Sequence, residues 1–403
     1  MYRINEDEFK EKYILMVPAM LDAHFPLLKY ALFSKNYHPQ FLDCEEGITD
    51  IGLKHVHNDM CYPSVLNIGQ FVSALRSCPY DLSRVKLLMP SAGDACRGSN
   101  YVSALKKAVE IEGMDDKVKV LTLNAVGIDP DNQLVFSLPM LVKALYALLY
   151  GDILMLLVNQ VRPYEKNKGE ADKLWQKWID KISEYLKKDR FVKLLSIKSN
   201  FEKMCADFEA IEKTGEKKER IGLVGELYIK YCHLGNRNVV KFIEEQGFET
   251  HTNGFTWYML YYMDSHLLNE YKGIARPFIR LGFNILNSMQ KTMIKTMRKH
   301  GFYSLDAFSD FKKEVNRYVN QGYIIADGWL IGGEITAHIL HDCKKVLAMQ
   351  PFGCMPNHTC GRGMYPHLSR LFPEGRIVSV DFDSSSSEVT IFNRVKMLLD
   401  FNV

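Results

Sequence analysis

The chain carries almost no net charge: 51 Lys and Arg against 48 Asp and Glu leave +3 over 403 residues. That balance gives no reason to expect a nucleic-acid partner, and no basic stripe interleaved with aromatics is present. The N-terminal stretch MYRINEDEFKEKYILMVPAM mixes charges of both signs and lacks an apolar run ending in small residues, so it does not read as a secretory signal. The longest apolar run, Leu134 to Val161, is broken by Lys143, Tyr146, Tyr150, Asp152 and Gln160, which argues against a membrane span and for a buried helix plus strand. A cytoplasmic protein is expected. A P-loop is missing, and Gly222 and Gly225 are too sparse for any other phosphate-binding loop, so no ATP site is expected.

What is present is globular: 47% hydrophobic and 25% charged residues. At about 150 residues per domain, the length suggests two to three domains. The nine cysteines are an odd count and form no compact CxxC pair. Without a secretory signal, disulfides explain them poorly. They are core hydrophobes or ligands to a metal or cluster.

Periodicity alternates strand and helix. Strands are expected at Tyr13–Pro18, Tyr37–Leu42, Val85–Met89 and Val118–Leu123. Helices are expected at Leu21–Lys35, Pro63–Cys78, Gly98–Gly113 and Leu138–Tyr150. From Arg162 to Arg220 charges of both signs surround spaced apolar residues such as Trp175, Trp178, Ile182 and Phe208, a helical connector. The rhythm then resumes. Strands fall at Ile221–Ile229, Phe248–Thr252, Val346–Gln350 and Ile377–Asp381. Helices fall at Asn236–Gln246, Phe255–Tyr271, Pro277–His300, Ile331–Cys343, Gly361–Leu371 and Ser387–Asp400. Met289, Met293 and Met297 form a stripe that reads as packing. The expected fold is α/β, with two parallel-sheet domains at 1–160 and 221–403 joined by a helical connector at 161–220.

Two cysteines fall just past the carboxyl end of an expected strand, the edge where open α/β sheets bind ligands. Cys96 follows Val85–Met89, in Pro90-Ser-Ala-Gly-Asp-Ala-Cys-Arg-Gly-Ser-Asn100. Cys354 follows Val346–Gln350, in Pro351-Phe-Gly-Cys-Met-Pro-Asn-His358. Cys61, in His55-Val-His-Asn-Asp-Met-Cys-Tyr-Pro63, precedes a helix whose free N–H groups stabilise a thiolate. On spacing alone the alternative is three buried thiols.

The strings His57-Asn-Asp-Met-Cys-Tyr-Pro-Ser-Val-Leu-Asn-Ile-Gly-Gln70, Cys96-Arg-Gly-Ser-Asn-Tyr101 and Gln350-Pro-Phe-Gly-Cys-Met-Pro-Asn-His358 resemble the C-terminal region of the long acyl-CoA dehydratase activase-related proteins. So do Gly225-Glu-Leu-Tyr228, Leu234-Gly-Asn-Arg-Asn238, Gly328-Trp-Leu with Gly333-Glu334, and Asp381-Phe-Asp-Ser-Ser with Glu388. That region is similar in turn to 2-hydroxyacyl-CoA dehydratase subunits. The resemblance implies two Rossmann-like domains with a [4Fe–4S] cluster at their junction, held by Cys61, Cys96 and Cys354. It implies low-potential one-electron, radical chemistry on a CoA thioester, in an oxygen-sensitive protein. Because the ATPase domains of the long proteins are missing here, the electron donor would be a separate ATP-dependent activase. A dimer with itself or with a related subunit is also implied.

The remaining candidates divide by role. Cys360 and Cys44 are the spare thiolates for a fourth ligand or for a double-cubane cluster. Arg97 balances cluster charge or binds an anion such as a CoA phosphate. His358, with His55 and His57, could hydrogen-bond a cluster sulfur. Glu334 is the candidate catalytic acid/base, against a plain helix N-terminal charge. Asp59 is a second carboxylate in a recognisable string, and Asn100 a loop cap. Ser384–Ser387 reads as a helix N-cap stretch. Cys78, Cys205, Cys232 and Cys343 read as packing. Two other readings stay open: a cluster-bearing accessory subunit without catalysis, and a structural Zn²⁺ site of four thiolates.

Overall fold

A computed structural model describes residues 12–401 apart from 35, 58, 92–94, 124–133, 135, 136, 188–190, 271 and 274. Eight strands form two sheets, and every pairing is parallel. The first holds β1 (Tyr13–Val17), β2 (Tyr37–Phe41), β3 (Val85–Pro90) and β4 (Lys119–Leu123) in the order β2-β1-β3-β4. The second holds β5 (Arg220–Gly225), β6 (Glu249–Thr252), β7 (Lys345–Pro351) and β8 (Arg376–Phe382) in the order β6-β5-β7-β8. Helices flank both sheets, so the fold is α/β with two Rossmann-like units. The two orders are the same, and each sheet has its switch point between its two central strands, where the chain leaves in opposite directions.

The inner strands read as continuous apolar runs because both faces are covered. All seven residues of β7 are buried, including Lys345, whose ammonium is held by Glu219 at 2.8 Å and the Leu399 carbonyl at 2.7 Å. In register, β7 pairs Ile221 through Gly225 of β5 with Lys345 through Met349.

The apolar run after β4 forms one helix, Leu138–Val161, instead of a helix and a strand. By length and composition this segment would cross a membrane, yet 72% of its apolar window is buried inside the fold. It is the central core helix. Gly151 lets it approach another segment closely: a Cβ there would lie 2.4 Å from the His24 ring. Around it pack Trp178, Ile182, Leu186, Phe201 and Phe208 from the charged middle of the chain, and Trp257, Phe308, Phe311 and Trp329 from the second half. Met293 and Met297 are fully buried in the same core, with Met289 against it.

Two expected elements end differently. β5 stops at Gly225, not Ile229, because Gly225 adopts φ +127°, where a Cβ would meet the Met349 carbonyl oxygen at 1.9 Å. The chain then turns into the helix Leu227–Tyr231, capped by Glu226, whose carboxylate accepts from Ile229 N at 3.0 Å. The expected helix Phe255–Tyr271 is regular over Phe255–Tyr262 and then widens into a π-turn at Met263–Leu267.

One buried carboxylate joins three remote segments. Asp152, on the core helix, is fully inaccessible. It receives His24 Nε2 at 2.7 Å from the loop after β1. It also receives Phe255 N at 2.6 Å, Thr256 N at 3.0 Å and the Thr256 hydroxyl, at the start of the helix Phe255–Tyr262. A free helix N-terminus and an imidazole thus satisfy a charge that could not otherwise be buried. Asp152→Ala should lower stability by about 3–5 kcal/mol, the usual consequence of unpairing a buried charge network, read as a lowered urea midpoint.

Candidate functional site

Cys96 and Cys354 lie in the loops past the carboxyl ends of β3 and β7. Cys61 is the residue before the helix Tyr62–Arg76, with Pro63 in its first turn. Its carbonyl accepts from Ser64 N at 2.8 Å. Cys96 starts the short turn Arg97–Asn100 that leads into the helix Tyr101–Ile111, and its Sγ accepts from Gly98 N at 3.3 Å. Cys354 lies three residues past β7, and its Sγ accepts from the Asn357 side-chain amide at 3.3 Å. All nine cysteines are free thiols.

Cys61 lies within electrostatic reach of both Cys96 and Cys354. Burial pushes the Cys61 thiol well above its ordinary range, helped by the charges of Glu226 and Cys96; a hydrogen bond from the Tyr101 hydroxyl and the charge of Arg97 act the other way. Burial raises Cys354 as well, with Glu226, Asp327 and Cys61 adding to it. Tyr101 feels Cys61, Glu226 and Cys96 at once. These mutual influences place three thiols and two carboxyls, drawn from both units, around one locus. Arg97 is part of the seam: its guanidinium donates to the Asp59 carbonyl and lies against Gly353, where a Cβ would be 3.5 Å from Nη2.

Glu226 and Asp327 were not among the candidates read from the sequence. Both sit at helix starts, Glu226 capping Leu227–Tyr231 and Asp327 preceding Gly328–Leu340. Burial raises Glu226 to about 7, reinforced by Asp327. Burial likewise raises Asp327 to about 6, opposed by Lys230 and by the Asn357 amide at 3.2 Å. Two carboxyls that titrate near neutrality beside buried thiols can deliver or take up a proton at working pH. The signal for both lay in the strings Gly225-Glu-Leu-Tyr228 and Gly328-Trp-Leu, which hold Glu226 and abut Asp327.

Glu334 is 2% exposed and forms a buried ion pair with Lys230 at 3.0 and 3.1 Å, with Asn253 at 3.3 Å. It lines, with Lys230, Asp327, Tyr231 and Tyr258, a cavity of about 10 Å³, of the order of one water. Its charge is answered by Lys230, and the carboxyls that weigh most on the thiols are Glu226 and Asp327.

The other candidates point elsewhere. His358 faces Asp381 at 3.3 Å, on the same carboxylate that binds Arg362 at 2.9 Å. His55 is held by the Ile51 carbonyl and Glu112, both at 2.7 Å. His57 and Asp59 are exposed and pair with each other at 3.1 Å. Asn100 is exposed. Cys360 is buried with the Thr359 hydroxyl 3.7 Å from its Sγ, and is not among the strongest influences on Cys61 or Cys354. Cys44 Sγ faces the Gln70 carbonyl at 3.6 Å and packs between the cores under the two sheets. Ser387 caps the helix Glu388–Leu399 at Thr390 N, 3.2 Å.

Among the described residues, the groups whose ligand atoms all lie within 4.8 Å of one another are found elsewhere, so the sulfurs of Cys61, Cys96 and Cys354 are not all that close together. The Gly98 amide donates to Cys96 Sγ, the Asn357 side-chain amide to Cys354 Sγ and the Tyr101 hydroxyl to Cys61 Sγ. No protein-family model matches the chain, and no curated protein matches it.

The raised carboxyls have a stability consequence. A group whose folded pKa lies above its unfolded value of about 4.5 contributes stability that is full below pH 4.5 and is lost as pH rises to about 7. From pH 5 to 7 the metal-free protein should therefore lose stability relative to its Glu226→Gln variant, while the half-buried His38 and the buried His251 and His338, held neutral by burial, act the other way in both chains. Glu226→Gln should be the more stable form at pH 8, measured by urea unfolding of both chains at each pH.

Proposed function

We propose that the chain is an iron–sulfur protein related to the 2-hydroxyacyl-CoA dehydratases, with Cys61, Cys96 and Cys354 as ligands of a [4Fe–4S] cluster. The observation that carries this reading is the convergence of three thiols, far apart in sequence, at the carboxyl edges of two parallel sheets. A cluster so bound supplies a low-potential electron and Lewis acidity.

The chain's own residues supply the rest. Buried thiols pushed to high pKa are inert until a cationic group offsets their burial and deprotonates them. Cys61 and Cys354 are nearly inaccessible, which keeps bulk water from those two sulfurs, while Cys96 is partly exposed. Gly98 N, the Tyr101 hydroxyl and the Asn357 amide donate to sulfur and stabilise the more negative, reduced state. Glu226 and Asp327 hold protons near neutral pH for a leaving hydroxyl. Arg97 is the exposed cation on the rim, suited to an anionic substrate such as a CoA phosphate. In this reading the protein is cytoplasmic, takes electrons from a separate ATP-dependent activase, and pairs with a second copy or a related subunit.

Anaerobic purification with iron and sulfide analysis and EPR tests the reading. Brown protein with iron and sulfide is expected, lost in Cys61→Ala, Cys96→Ala and Cys354→Ala and kept in Cys44→Ala and Cys360→Ala. Colourless protein carrying zinc would overturn it. Iron lost in all five variants would replace the [4Fe–4S] assignment with a larger cluster.

A further inference from the structure

A second constellation of metal-ligating side chains lies apart from the three thiols. Asp22 comes from the loop after β1 of the first sheet, and Cys232 and His233 from the segment after β5 of the second. Their carboxylate oxygen, Sγ and imidazole nitrogen all lie within 4.8 Å of one another. Asp22 Oδ2 receives His233 N at 2.7 Å and faces His233 Nδ1 at 2.8 Å, so the imidazole is locked with Nδ1 toward the group. Its far nitrogen, Nε2, faces Glu45 Oε1 at 3.1 Å. A metal-bound histidine almost always gives its second nitrogen to a carboxylate, a backbone carbonyl or water, which fixes the tautomer and raises ligand basicity. The Cys232 residue is fully buried, whereas the side chains of Asp22 and His233 are each more than a third exposed. The group thus has a buried sulfur wall and a solvent-facing side.

We propose that Asp22, Cys232 and His233 form a three-ligand site for a divalent transition ion, best suited to Zn²⁺, with Glu45 orienting the histidine and the fourth position open to water. The donor set decides the metal class. A thiolate, an imidazole and a carboxylate suit zinc, whereas Ca²⁺ and Mg²⁺ take oxygen. Thiolate and carboxylate together carry −2, which matches the ion, and on binding the thiol proton and any second imidazole proton leave to solvent. Because Asp22 belongs to the first unit and Cys232 and His233 to the second, the ion would clamp the two units together. The Asp22 N to Tyr231 carbonyl bond at 3.2 Å already sets this approach. The proposal does not depend on the iron–sulfur reading.

The test is titration of the metal-free full-length chain with Co²⁺, in the native sequence and in a Cys354→Ser background that removes a thiol of the other locus. One equivalent should bind in the Cys354→Ser chain and at least one in the native chain, with a thiolate-to-cobalt charge-transfer band and the strong visible absorption of a four-coordinate ion. Adding Cys232→Ser to the Cys354→Ser chain should abolish that band. Glu45→Gln should weaken Co²⁺ binding about 10- to 100-fold, and Asp22→Asn and His233→Gln by at least as much. A band that survives Cys232→Ser, or the lack of any Co²⁺ binding in the Cys354→Ser chain, would overturn the proposal. If circular dichroism shows Cys232→Ser to be unfolded, the solvent-facing Asp22→Asn and His233→Gln variants decide: unchanged affinity in both overturns it.

Discussion

The architecture hangs on Asp152, a carboxylate with no access to water on the central core helix. Four hydrogen bonds from two remote segments neutralise it: an imidazole from the loop after β1, and two backbone amides and a hydroxyl at the start of the helix Phe255–Tyr262. Such a charge is tolerated only when every lone pair is answered. That requirement fixes where the first sheet's leading loop and the second half's helical layer sit relative to one another. Gly151 and Gly254 flank the arrangement because a Cβ at either would strike His24 or Asp152. The seam that results brings the carboxyl edge of one sheet beside that of the other.

At that seam the electrostatics are opposed. The Gly98 amide, the Asn357 side-chain amide and the Tyr101 hydroxyl donate to the sulfurs of Cys96, Cys354 and Cys61 and favour thiolates, while burial and the charges of Glu226 and Asp327 favour thiols. Burial is the larger influence on both Cys61 and Cys354. A site with this balance is quiet in the absence of a strongly positive group and becomes a ligand set only in its presence. The same logic extends to Glu334 and Lys230, which neutralise each other at 3.0 Å beneath the site and leave Asp327 and Glu226 as the carboxyls able to exchange protons near neutrality.

Much of the fold was legible. The runs at Val85–Met89 and Val346–Gln350 are apolar on both faces, the mark of parallel strands covered by helices, and both form central strands. The Met289, Met293 and Met297 stripe read as packing and is packing. The apolar stretch up to Val161 was misdivided, since a helix buried on all sides loses the 3.6-residue pattern that distinguishes it from a strand. The end of β5 was missed because it depends on a glycine at φ +127° against a carbonyl of the neighbouring strand. Of the site, the thiol positions were visible because each follows a strand or precedes a helix. Glu226 and Asp327 were less so, since their titration near neutrality arises from burial and from each other.

The sequence by itself determined the alternation of strand and helix, the parallel character of the sheets and the placing of three cysteines at strand and helix ends, because these are local consequences of apolar spacing, proline and glycine. Only the tertiary structure decided that both sheets share one strand order, that their carboxyl edges meet, and that Asp22 reaches across to Cys232 and His233. Those outcomes depend on contacts between residues more than a hundred positions apart, such as His24 with Asp152 and Asp22 with His233. No local pattern encodes them; they follow from satisfying buried charge and filling a common core.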